Sequence, residues 1–90
     1  MRVMPKWGLA PSDVIVQAFI EPDPLNRAVS FAVDSSDWYR STTVEWEGDR
    51  APRMKEVRFR MLPAGSYEVR VTLSGSSGER DRFTRVLQLR

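Results

Sequence analysis

The 90-residue chain has no cysteine and no histidine. Without cysteine there are no disulfides, no thiolate nucleophile and no thiolate metal site, and the redox compartment stays open. Without histidine, no side chain has an unperturbed pKa between pH 5 and 8. The commonest proton shuttle and metal ligand are both missing, which argues against most hydrolase mechanisms. Neither sign of charge dominates: 14 basic and 12 acidic residues leave a net +2, mixed along the chain. The basic pI reflects that small excess, so no nucleic-acid partner is expected. Long apolar runs are absent too, and nothing approaches the roughly 20 residues of a membrane span. Met1 to Asp13 lacks the hydrophobic centre of a signal peptide, so any export signal or anchor would lie outside these residues.

What remains is β-patterned. After the breakers Pro63 to Ser66, the run Tyr67 to Leu73 alternates cleanly, with Tyr67, Val69, Val71 and Leu73 on one face and Glu68, Arg70 and Thr72 on the other. That is a half-buried antiparallel strand entered through a tight corner. Val14 to Ile20 alternates as well and ends at Glu21-Pro22-Asp23-Pro24, where two prolines deny the ladder two donors. Arg27 to Val33 points Val29, Phe31 and Val33 one way, before the turn Asp34-Ser35-Ser36-Asp37. Trp38 to Trp46 is rich in β-formers, but Arg40 and Thr42 interrupt its apolar face, so a bend near Ser41 is expected to split it. Lys55 to Leu62 alternates again. Ser74-Gly75-Ser76-Ser77-Gly78 is a hairpin loop. The last strand, about Asp81 to Leu89, needs a bulge to reconcile Arg85 and Val86 with Phe83, Leu87 and Leu89. Met1 to Asp13, with three breakers and no sustained period, reads as a linker or arm whose Trp7 and Leu9 could dock on the domain.

Leu62-Pro63-Ala64-Gly65-Ser66-Tyr67 followed by an alternating strand resembles the corner before strand F in fibronectin type III and other immunoglobulin-like sandwiches. The resemblance implies that Leu62, Gly65 and Tyr67 form a tyrosine corner, the Tyr67 hydroxyl bonding backbone near Leu62 or Pro63. The same element is similar to one in carboxypeptidase-regulatory-like and collagen-adhesin B-type modules, although the Gly-rich hairpin that opens those is absent here. Together with Glu21-Pro22-Asp23, Asn26-Arg27, Tyr39-Arg40-Ser41 and Glu47-Gly48, the corner resembles immunoglobulin-like modules of bacterial proteins over residues 14–90. That likeness implies an extracytoplasmic setting, in the periplasm or at the cell surface. The chain departs from the pattern in having no Cys pair, and Trp38 only loosely matches the expected core tryptophan. No activity transfers with such a fold.

Several carboxylates fall in near pairs. Glu45 and Glu47 could share a strand face flanking Trp46, but a glycosidase needs two carboxyls across a cleft, and a solvated face is preferred. Asp23, Asp34 and Asp37 lie in loops that could cluster around calcium, though turn-forming Asp is the commoner role. Arg58, Arg60 and Arg70 are expected as an outward stripe of cross-strand ion pairs with Glu56 and Glu68. A cluster of Arg80, Arg82, Arg85 and Arg90 is a better anion site, diluted by Glu79 and Asp81. The aromatics Trp7, Tyr39 and Trp46 stand out as candidate contacts, because exposed aromatics bring large area at little entropic cost; Trp46 is as readily read as covering a sheet edge.

The expectation is therefore an all-β, two-sheet antiparallel immunoglobulin-like sandwich of about seven strands over 14–90, preceded by an arm at 1–13. Its expected role is non-catalytic: a structural or protein-interaction module contacting a partner or other domains of its parent protein. The alternative is a carbohydrate-binding module using Trp7, Tyr39 or Trp46. No cofactor or metal is expected.

Overall fold

Period-two patterning carries the chain into eight strands and no α-helix, as seen in a computed structural model that describes residues 1–90. In chain order they are β1 (Arg2–Met4), β2 (Trp7–Gly8), β3 (Ser12–Phe19), β4 (Ala28–Asp34), β5 (Tyr39–Glu45), β6 (Met54–Leu62), β7 (Gly65–Gly75) and β8 (Gly78–Leu89). They form two sheets, one ordered β1-β3-β6 and the other β2-β8-β7-β4-β5. The expected two-sheet sandwich is what forms. All pairings are antiparallel but one: β2 runs parallel to β8, with Trp7 opposite Gln88.

One side chain in two from each sheet points into the shared core. Val14, Val16 and Ala18 of β3 meet Val29, Phe31 and Val33 of β4 and Val69 and Val71 of β7, all essentially out of water. β-branched valine suits this layer, because its single preferred rotamer loses little freedom on a pleated surface. Full burial of each is worth about 1.5–3 kcal/mol.

The N-terminal residues are not a free linker. Val3 of β1 is buried in the core and pairs with Val16, and β2 adds to the other sheet's edge. The crossing between sheets falls at Pro5, which has no N–H to give to a ladder. Trp7 and Leu9, read as side chains that could dock, instead remain exposed.

β5 pairs with β4 without interruption from Tyr39 to Glu45, so no bend occurs at Ser41. As an edge strand it hides little of either face, which is why its apolar alternation is weak. β8 keeps register with β7 from Leu89 to Asp81, so no bulge separates Arg85 from Val86; the shift lies at Leu73/Ser74. Arg85 shares Val69's inward face, yet sits exposed at the open flank of the sandwich. The stripe of Arg58, Arg60 and Arg70 does not exist. The corner after Leu62 carries the chain from one sheet to the other, so Arg58 and Arg60 lie on one outer face and Arg70 on the opposite one.

Candidate functional site

The corner is a structural device. Tyr67 Oη donates to the Pro63 carbonyl at 2.6 Å, the bond expected of it, and the ring is 2% exposed. Burial pushes the phenol pKa up from its ordinary value. Trp38, half-buried, meets the Tyr67 ring edge-on at 5.8 Å and 88°, and the Arg40 guanidinium lies 4.9 Å from the Trp38 ring centre. Gly65 adopts φ +155°, where a side chain is disfavoured, beneath the Tyr67 ring.

Trp46 is 4% exposed and belongs to the core, so it is not a contact residue. Its backbone N–H donates to the Arg27 carbonyl at 2.8 Å, fixing it just past the end of β5, where the indole packs into the core. Glu45 and Glu47 therefore flank a buried ring with no platform exposed between them. Trp7, at 75%, and Tyr39, at 57%, are exposed, but they occupy opposite edge strands of one sheet. Four strand spacings, about 19 Å, separate those edges. They do not make one sugar-stacking platform.

Trp7 gathers different neighbours. It shares the outer face with Gln88, and exposed Val86 follows one side-chain repeat, about 7 Å, back along β8. Trp7, Leu9, Gln88 and Arg90 line a shallow hollow of about 430 Å³. Tryptophan is among the residue types enriched at binding hot spots, and exposed Leu9 and Val86 extend the apolar surface around it. Leu9 is legible beside Trp7 in the sequence, whereas Val86 is not, because only the parallel β2–β8 pairing brings residues 7 and 86 together.

Five of the twelve acidic residues pair with arginine. Asp23 pairs with Arg80 at 3.0 Å, Glu79 with Arg82 at 2.7 Å, and Arg70 bridges Glu68 at 3.2 Å and Asp34 at 3.5 Å. Asp23 also accepts the Leu25 N–H at 2.9 Å; that bond first, and Arg80 second, hold its carboxyl below the usual aspartate value. Asp23 precedes β4 and Asp34 ends it, so seven residues of strand, about 23 Å, keep them from clustering with Asp37 around one cation. No three acidic side chains come together as a metal site, and no helix is long and apolar enough to cross a membrane.

Comparison with protein-family models, with curated proteins and with solved structures returned no match.

Proposed function

We propose that the chain is a non-catalytic immunoglobulin-like module of a bacterial envelope or surface protein, and that it binds protein through Trp7 with Leu9 and Val86. The observation that carries the reading is the exposed Trp7, held on a backbone fixed by β8 yet contributing nothing to the core. A large rigid aromatic left in water by a fold with other uses for tryptophan is best accounted for by a partner's surface.

The immunoglobulin-like part is supported by topology. Strands β1-β3-β6 facing β8-β7-β4-β5, a short β2 parallel to the last strand, and a tyrosine bonded four residues upstream at the corner agree with that architecture. The non-catalytic part is supported by the lack of histidine and cysteine, with Asp23, Glu68 and Glu79 each held in an ion pair with arginine.

A photo-crosslinking amino acid at position 9, in the protein expressed in its host, tests this. The expected result is a discrete protein adduct that Trp7→Ala abolishes, with none from the same group at Arg60 on the far sheet. Equal adducts at both positions, or one indifferent to Trp7→Ala, overturns the reading. Retardation in polysaccharide gels that Trp7→Ala removes would instead support carbohydrate binding.

A further inference from the structure

We propose that the notch between β1 and β8 binds an extended acidic segment of a partner protein as an added strand. This rests on the protein-binding reading above and names a second element of that surface together with the chemistry of its ligand.

The backbone comes first. Gln88 donates its N–H to the Lys6 carbonyl at 3.2 Å and Arg90 to the Gly8 carbonyl at 2.9 Å, so alternate residues of β8 turn their backbone toward the β2 side. β2 stops there, because the chain crosses to the other sheet at Met4–Lys6. Register with β7 is unbroken back to Asp81, so Val86, Thr84 and Arg82 present their backbone to the same side, where no strand pairs with them. Two of these groups are covered by side chains: Asp81 accepts the Arg82 N–H at 2.8 Å, and Arg85 donates to the Thr84 carbonyl at 2.9 Å. The Thr84 N–H and both Val86 groups face the open edge. Such an edge is a template for strand addition.

Charge selects the occupant. Where β1 and β8 diverge they enclose a notch of about 510 Å³, lined by Met1 to Lys6, Arg85 and Val86. Arg2, Lys6 and Arg85 bring positive charge to it, and no carboxylate lines it. The ion pairs of the chain use Arg58, Arg70, Arg80 and Arg82, leaving those cations without an acidic partner. Side chains of an added strand alternate between two surroundings. One set faces the inner flank with Arg85; the other faces outward beside Val86 and Trp7. The favoured ligand therefore alternates acidic and apolar residues.

The test is an amide-resolved NMR titration of the protein with a blocked six-residue peptide alternating Glu and Val. A Lys-Val analogue, a block-scrambled Glu/Val peptide, polyglutamate and a thymidine oligonucleotide serve as comparisons. The expected result is shifts confined to residues 82–86 and 1–6, with slowed hydrogen exchange at Thr84 and Val86. Charge reversal by Lys6→Glu with Arg85→Glu should weaken binding roughly tenfold or more. Equal binding of the Lys-Val analogue, shifts centred on β5, polyanion binding as tight without slowed exchange, or no binding at all overturns the proposal. The position-9 crosslink reports independently, so an adduct lost on Trp7→Ala without peptide binding leaves the module's role standing and removes only the notch.

Discussion

Asp13 accepts the backbone N–H of Met61 through Oδ1 at 2.9 Å, joining residues 48 apart in sequence across a bulge. Ser12 pairs with Leu62 and Val14 with Phe59, so Asp13 alone faces both Arg60 and Met61. Met61 takes up the extra residue at φ 57°, in the left-handed region. A side chain there costs about 1–2 kcal/mol. Met61→Gly should leave the urea midpoint unchanged or raise it, despite the roughly 0.5–1 kcal/mol that glycine costs in a strand. Asp13→Ala should lower stability by about 1 kcal/mol through loss of the acceptor. A destabilised Met61→Gly variant would contradict this account of the bulge.

Tyr67→Phe removes the donor to the Pro63 carbonyl and little else, and should cost about 1–3 kcal/mol. An unchanged unfolding midpoint would show that the hydroxyl holds nothing. The same residue gives a pH dependence. Burial raises its folded pKa, so the unfolded chain loses the phenol proton first. Its contribution is complete below the unfolded value of about 10 and is lost as pH rises from there through the folded value. Stability measured between pH 9 and 11 should fall, and fall less in Tyr67→Phe.

Asp23 titrates the other way. With its folded pKa depressed, its contribution is present above the ordinary value of about 3.9 and lost as pH falls through the lower folded one. Carboxyl NMR should place its midpoint below the ordinary value. Arg80→Gln should return it only part of the way, because the Leu25 N–H, the larger cause, remains. Full return on removing Arg80 would reverse that order.

The two exposed-looking tryptophans should separate by experiment. Trp7→Ala is expected to change stability by no more than about 0.5 kcal/mol. Trp46→Ala should cost about 3–5 kcal/mol, enough to unfold a small domain. Acrylamide should quench Trp7 fluorescence freely and spare Trp46, as read in variants that keep one tryptophan each. Comparable quenching of both would contradict their placement.

Period-two alternation is a local property, so it was readable in β3, β4, β7 and the start of β6, and with it most of the core. The corner at 62–67 was readable because proline, glycine and tyrosine at that spacing constrain backbone directly. The candidate site was legible only as single residues. Trp7 and Tyr39 stand out, while Trp46 reads equally as a contact or as cover for a sheet edge, because polar neighbours in sequence do not decide what a strand end packs against.

By itself the sequence determined that the chain is all β, where most strands begin, and which side chains share a face, since these depend on neighbours one or two residues apart. Tertiary structure alone decided which sheet each face belongs to, which strands are edges, and where charges gather. Arg58 and Arg70 look like one stripe in sequence but point away from each other, because a corner lies between them. Trp7 meets β8 through a parallel pairing that no local pattern encodes. Those choices follow from burying both sheets' apolar faces at once, a condition on the whole chain rather than on any stretch of it.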